Sequence, residues 1–180
     1  MIGSDFVADI EAIRKRAREH MGDGAVTQSY KANRDQVVKL LNDSLATELV
    51  CVLRYKRHHY MAKGINSESV AAEFLEHAQE EQVHADVLAE RICQLGGEPN
   101  FNPEGLAGRS HSQYVEGKTL TDMIKEDLVA ERIAIEVYGE IVRYLGDADP
   151  TTRRVLEEIL AKEEEHADDM SNLLARLDGK

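Results

Sequence analysis

The stretch ILAKEEEHADDM, residues 159–170, contains a Glu-x-x-His pattern at 163–166, and the stretch EEQVHAD, residues 80–86, repeats that pattern at 81–84. A spacing of three residues places the carboxylate and the imidazole one turn apart on the same face of a helix. In both halves of the chain a single glutamate stands about 33 residues before the pattern. The repeat predicts two helical hairpins that carry the same set of polar side chains.

Glycine and proline divide the chain into four long segments of helical periodicity. We expect helices at about 34–63, 67–95, 119–145 and 150–177. The turns at 64–66 and 146–149 are short, so the helices on either side of each turn are antiparallel neighbours. The connection at 96–118 is long enough to run the length of the bundle. The sequence therefore predicts an all-α four-helix bundle made of two antiparallel hairpins joined by a long crossover.

The bundle is assigned to residues 34–180, and the residues before it are expected to form a separate segment. Residues 1–33 are predicted to form an N-terminal amphipathic helix, at 4–20, followed by a linker. The basic residues of that helix are expected to form a solvated face rather than an arm that binds nucleic acid.

Composition excludes several classes of protein. The chain has 34 acidic and 22 basic residues and a formal net charge of -12, which argues against a nucleic-acid partner and favours cationic ones. Its apolar runs are too short for a membrane helix, and its acidic opening does not suit a secretory signal, so a cytoplasmic protein without a membrane partner is expected. Cys51 and Cys93 have no zinc-site spacing and are predicted to be free thiols.

Each of the four repeated glutamates lies on an apolar stripe of its predicted helix, at about the same distance from its turn. Burial of an uncompensated carboxylate costs several kcal/mol, whereas a domain is stable by only about 5–15 kcal/mol. Two divalent cations would balance four carboxylates and leave two neutral imidazoles as nitrogen ligands. The sequence therefore predicts a dinuclear metal site at mid-bundle, with the ligands Glu48, Glu81, His84, Glu131, Glu163 and His166.

These motifs resemble those of the ferritin-like superfamily, and bacterioferritin most closely, including Dps-like ferritins with a bacterioferritin-type site. The similarity covers about residues 34–177, and it is carried by LNDSLATELV, RYKRHHY, EEQVHAD, KEDLVAER and ILAKEEEHADDM. The resemblance implies terminal ligands at Glu48 and Glu131 and bridging ligands at Glu81 and Glu163. It implies nitrogen ligands at His84 and His166.

Two further residues are expected next to the ligands, and one departs from the bacterioferritin pattern. Tyr55 stands seven residues after Glu48, and a hydrogen bond to a carboxylate is favoured for it over a redox role. Asp127, one turn before Glu131, resembles the acid that supports the site in the family. Gln82 occupies the position of the methionine that binds haem in bacterioferritin, so haem is not expected.

The function that the resemblance implies is ferroxidase activity, the oxidation of Fe(II) to Fe(III) by O2 or H2O2 at two iron ions per subunit. Manganese is the alternative metal. The iron would be stored in a cage-like homo-oligomer of 12 or 24 subunits. The alternatives are a manganese catalase or rubrerythrin-like peroxidase on the same metals, or a metal-free bundle whose glutamates pair with arginines.

The remaining polar side chains near these motifs are interpreted as ordinary surface or core residues. Because one step along a helix rotates a side chain by about 100°, we expect the neighbouring glutamates to face solvent. This applies to Glu80, Glu164 and Glu165. We assign no functional cluster to His20, His58, His77 and His111.

Overall fold

The computed structural model describes residues 8–64 and 67–177, and the regular structure within them is helical. The all-α class predicted from the sequence is confirmed. The α-helices are α1 (Ile10–Arg16), α2 (Arg34–Met61), α3 (Ser67–Gln94), α4 (Leu106–Arg109), α5 (Leu120–Leu145) and α6 (Pro150–Leu177). Among the described residues, no helix has the length and apolarity that crossing a bilayer requires.

The beginnings of α5 and α6 are fixed by side-chain caps. The Thr119 hydroxyl accepts from the amide of Asp122, and the Asp122 carboxylate accepts from the amide of Thr119, which is a complete capping box. At α6, Asp149 accepts from the amide of Thr152 at 2.9 Å, and Pro150 follows it as the first helical residue. These caps set where both helices of the second hairpin start.

The four long helices form the predicted bundle of two hairpins. α2 packs mainly against α3, and α5 packs mainly against α6, while contacts of α2 with α5 and of α3 with α6 join the two hairpins. The crossover between α3 and α5 contains the short helix α4, which lies against α2. The crossover therefore covers the α2 side of the bundle.

The apolar core consists of two clusters, one toward each end of the bundle. The first contains Leu45 and Leu88 together with Ile141 and other residues of all four long helices. The second contains Phe74 and Met170 with further residues of the same helices. The middle of the bundle, between these clusters, is where the repeated glutamates lie.

The N-terminal helix is shorter than predicted. Helix α1 ends at Arg16, whereas the sequence suggested a helix over 4–20, of which residues 4–7 lie outside the described part. Ile10 and Ile13 on its apolar face are 50% and 42% exposed. None of the residues of α1 is buried against the described part of the chain, and isolated helices of this length are unstable in water, so the helix is not extended.

Gly117 closes the crossover just before α5, and an alanine there is expected to destabilise the fold. Its φ is +61°, and an added Cβ would lie 2.8 Å from the backbone nitrogen of Met123. Gly117→Ala should lower the free energy of unfolding by about 1–3 kcal/mol, as measured by denaturant titration. The matched control is Gly108→Ala, where an added Cβ meets no described atom within 4 Å. An equal effect of the two substitutions would contradict this explanation.

Candidate metal centre

The structure brings the six predicted side chains together in the middle of the bundle. All of them are buried, and the most exposed, His84, is only 7% exposed. They form two groups of four residues, and within each group the potential ligand atoms lie within 4.8 Å of one another. One group is Glu48, Glu81, His84 and Glu163, and the other is Glu81, Glu131, Glu163 and His166. Glu81 and Glu163 belong to both groups, so the geometry is that of two adjacent ion positions sharing two carboxylates.

Nδ1 of each histidine faces the carboxylates of its own group. His84 Nδ1 lies 3.4 Å from Glu48 Oε2, 3.1 Å from Glu81 Oε2 and 3.0 Å from Glu163 Oε1. His166 Nδ1 lies 3.6 Å from Glu81 Oε1 and 4.0 Å from Glu131 Oε2. Two ligand atoms that are each bonded to one small cation at about 2.0–2.2 Å lie at comparable distances from each other.

Two buried tyrosines each bind, from the opposite hairpin, the glutamate that lies outside a Glu-x-x-His pattern. The Tyr55 hydroxyl on α2 donates to Glu131 Oε1 on α5, and the Tyr138 hydroxyl on α5 donates to Glu48 Oε1 on α2. Tyr138 was absent from the predicted site. Its signal in the sequence is its position seven residues after Glu131, which repeats the spacing of Tyr55 from Glu48.

Several buried polar atoms of the centre have no hydrogen-bond partner among the described residues. They are Glu48 Oε2, Glu81 Oε1, Glu131 Oε2, Glu163 Oε1 and His166 Nδ1. Buried polar atoms normally have a partner, because leaving one without a partner costs about 1–3 kcal/mol. Carboxylate oxygens and imidazole nitrogens directed into one space are the donor set of a first-row divalent metal. The residues present therefore fit a dinuclear metal site.

Without metal the centre holds protons. Burial and the charge of Glu81 raise the pKa of Glu48 to about 8. Burial disfavours protonation of His84, but the carboxylates of Glu48 and Glu81 outweigh it and raise the pKa of His84 to about 10. Burial also opposes protonation of His166, whose pKa the carboxylate of Glu81 nevertheless raises to about 9. Metal ions binding here would displace these protons.

Asp127 is buried, and its oxygens pair with Arg54 and His58 rather than with any of the six side chains. Arg54 Nε donates to Asp127 Oδ1 at 2.8 Å, and His58 Nδ1 lies 2.8 Å from Asp127 Oδ2. Arg54 Nη1 also donates to the carbonyl of Gln113 at 3.1 Å. This network joins α2, α5 and the crossover. His58 thus belongs to a buried hydrogen-bond network and, among the described residues, to none of the groups of potential metal ligands, and Arg54 was missed.

Arginine does not compensate the repeated glutamates. In the described part of the chain their ion-pair partners are histidines, while the buried guanidinium of Arg54 pairs with Asp127. This observation disfavours the metal-free bundle with arginine pairs. Cys51 and Cys93 are free thiols, as predicted, and Cys51 is buried.

Two neighbours of the centre differ from their predicted roles. Glu80 was expected to face solvent, but its Oε2 lies 2.7 Å from Nε2 of His166, because a glutamate side chain reaches across to the adjacent helix. His77 was assigned no cluster, yet its ring stacks on that of His166 with centroids 4.0 Å apart. It lies four residues before Glu81, so the face periodicity that located the glutamates also places His77 on their stripe. Glu164 and Glu165 are exposed, as predicted.

Comparison with known proteins gives consistent matches. A family model described as a ferritin-like domain matches residues 38–179. The bacterioferritin of Desulfovibrio desulfuricans is 30% identical over 132 residues, which cover 73% of this chain and 70% of that protein. That of Mycobacterium leprae is 31% identical over 140 residues, covering 77% of this chain and 84% of that protein.

Solved structures show the same fold. The bacterioferritin-related protein of Bacteroides fragilis, described as a dodecameric thioferritin, has a TM-score of 0.79 at 29% identity and covers 82% of this chain and 89% of its own. A structure of the D. desulfuricans bacterioferritin, described by its diiron site in different catalytic states, has a TM-score of 0.72 at 26% identity. That match covers 81% of this chain and 82% of that chain.

The raised pKa values predict how the stability of the metal-free protein depends on pH. Glu48, His84 and His166 titrate above their ordinary values of 4.5, 6.5 and 6.5, so the folded state binds more protons than the unfolded state. Their stabilisation is complete below those ordinary values and is lost as the pH rises through the raised pKa values of about 8 for Glu48, about 9 for His166 and about 10 for His84. The free energy of unfolding should therefore fall from about pH 6 to about pH 10.

Denaturant titrations at several pH values in this window, on metal-free protein, measure the effect. The control is the same series with saturating Zn²⁺, whose binding replaces the protons and should weaken the fall in stability. A metal-free profile that is flat, or that rises with pH, would contradict the prediction.

Proposed function

The chain belongs to the ferritin-like family, and we propose that it is a ferroxidase that oxidises Fe(II) to Fe(III) and stores the product iron in a homo-oligomeric cage. One observation carries the proposal. Four buried glutamates and two histidines form two overlapping ligand groups, and five of their polar atoms have no partner among the described residues. The similarity to bacterioferritins agrees with this chemistry.

We assign the ligands by the group to which each belongs. Glu48 and His84 would hold one Fe(II), and Glu131 and His166 would hold the other. Glu81 and Glu163, which belong to both groups, would bridge the two ions. Four carboxylates then balance the charge of two divalent ions, so that the apolar interior contains no net charge from the centre.

The two substrate ions would supply one electron each, and these two electrons with two protons would reduce O2 to H2O2, or H2O2 to two water molecules. The side chains determine where this happens. Tyr55 and Tyr138 each occupy one oxygen of a terminal carboxylate, so the other oxygen, Glu131 Oε2 or Glu48 Oε2, would be available to bind the ion. Glu80 accepts from Nε2 of His166 and thereby keeps Nδ1 of that ring available to the metal. The apolar clusters on both sides limit access of water to the centre.

Storage in a cage is supported by the assembly of a similar protein. The B. fragilis relative is described as dodecameric, which supports 12 subunits more directly than 24. The net charge of -12 would attract cations to the surfaces of such a cage. Manganese is the alternative metal, since carboxylate ligands also suit Mn²⁺.

Replacing the bridging Glu81 by alanine should abolish iron oxidation while the helical fold is retained. The substitution removes a carboxylate that both ion positions share, and we expect the initial rate of Fe(II) oxidation to fall at least about 100-fold. The measurement is the ferric absorbance after mixing with Fe(II) in air, with circular dichroism as the check on folding. The control is Glu76→Ala, an exposed glutamate of the same helix. Full activity of Glu81→Ala would overturn the assignment of the site.

Iron loading distinguishes storage from catalysis at the dinuclear site alone. When Fe(II) and O2 are added in increments to the metal-free oligomer, a storage protein should take up far more than about two irons per chain and gain mass as a particle. Analytical ultracentrifugation and metal analysis measure this. Uptake that stops near two irons per chain, with rapid decomposition of H2O2, would instead indicate a peroxide-handling enzyme.

A further inference from the structure

A second cluster of ligand-type side chains lies beside the dinuclear centre, between α3 and α6. Glu73 and His77 stand four residues apart on α3, and Asp169 faces them from α6. One ligand atom from each residue lies within 4.8 Å of the others. None of these three residues belongs to the set of six.

The ring of His77 is oriented by a hydrogen bond to Tyr55. The single hydroxyl proton of Tyr55 is donated to Glu131, so the Tyr55 oxygen accepts from Nδ1–H of His77 at 3.2 Å. In the neutral ring the lone pair is then on Nε2. A metal-binding histidine typically donates its other ring N–H in this way, which fixes the tautomer and the orientation of the ring.

Nε2 of His77 faces two carboxylates. It lies 3.7 Å from Glu73 Oε1 and 3.6 Å from Asp169 Oδ2, both beyond hydrogen-bond length. His77 is only 2% exposed, whereas the side chains of Glu73 and Asp169 are 33% and 40% exposed. Three acceptors thus converge on one space, and among the described residues no lysine or arginine forms an ion pair with either carboxylate. A divalent cation satisfies all three at once.

This cluster is continuous with the dinuclear centre. His77 also forms a group of potential ligands with Glu131 and His166, and its ring stacks on the ring of His166. Successive groups of potential ligands therefore overlap from the partly exposed carboxylates between α3 and α6 to the buried ligand groups of the centre.

We propose that Glu73, His77 and Asp169 form a third divalent-cation site through which Fe(II) reaches the dinuclear centre. The binding of a cation here does not depend on the reaction at the centre, whereas the role in transfer rests on the proposed ferroxidase function. Fe(II) would first exchange part of its water shell for the two carboxylates, and His77 would hold it at the boundary of the apolar interior.

The binding test uses Zn²⁺, which does not change oxidation state, on the full-length metal-free oligomer. Calorimetry and metal analysis should give about three ions per chain for the native protein, and about two for the double variant Glu73→Gln/Asp169→Asn. The matched control is Glu76→Gln/Asp168→Asn on the same two helices, which should keep about three. Anomalous diffraction from Zn²⁺-loaded crystals should show an ion at His77. Saturation of the native protein at about two ions, or retention of about three by the double variant, would overturn the proposal.

The same variants separate this proposal from the function of the dinuclear centre. Glu81→Ala should lose the two central ions and keep the ion at His77. If Glu81→Ala keeps the two central ions, the assignment of the dinuclear centre is wrong, and the third site is not affected. At limiting Fe(II), the Glu73→Gln/Asp169→Asn protein should oxidise iron about tenfold more slowly than the control variant. Both should still bind about two irons at the centre. Equal rates in the two variants would overturn the transfer role.

Discussion

Charge compensation in an apolar interior is the constraint on which this structure depends. Four carboxylates lie at mid-bundle between two hydrophobic clusters, and their ion-pair partners among the described residues are two histidines. Protons partly occupy the place of cations in the metal-free protein, as the raised pKa of Glu48 shows. The proposed metal binding and the stability of the fold are therefore coupled, since the same side chains govern both.

Rigid support surrounds this charged centre. Tyr55 and Tyr138 each hold a glutamate of the opposite hairpin, so the two hairpins are connected at the level of the ligands themselves. Arg54 and Asp127 form a separate buried ion pair, which ties α2 to α5 and, through the Gln113 carbonyl, to the crossover. The centre is thus positioned by hydrogen bonds that do not involve a metal. Such preorganisation reduces the rearrangement that binding requires.

The sequence predicted the four long helices and the convergence of the six side chains because both follow from periodicity and from an internal repeat. It did not predict what lies outside the repeat. Arg54 stands six residues after Glu48, but Val137 occupies the equivalent position of the second half. Likewise, His77 stands four residues before its Glu-x-x-His pattern, whereas Ile159 occupies that position in the second half. The buried network of Arg54 depends on contacts between helices and with the crossover, which helical periodicity does not encode. His77 was within reach of the periodicity rule, but its hydrogen bond to Tyr55 required the fold. The N-terminal helix was overestimated, since its apolar face is not buried against the described residues of the chain.

The reciprocal tyrosine contacts reproduce in the structure the internal repeat of the sequence. Each half of the chain supplies a glutamate, a tyrosine seven residues later and a Glu-x-x-His pattern, and each tyrosine reaches the glutamate of the other half. Two identical copies of one hairpin, related by a twofold axis, would supply every one of these groups. A single polypeptide here repeats the symmetry of a dimer, and the residues that break it, His77 above all, give the two groups of potential ligands unequal surroundings.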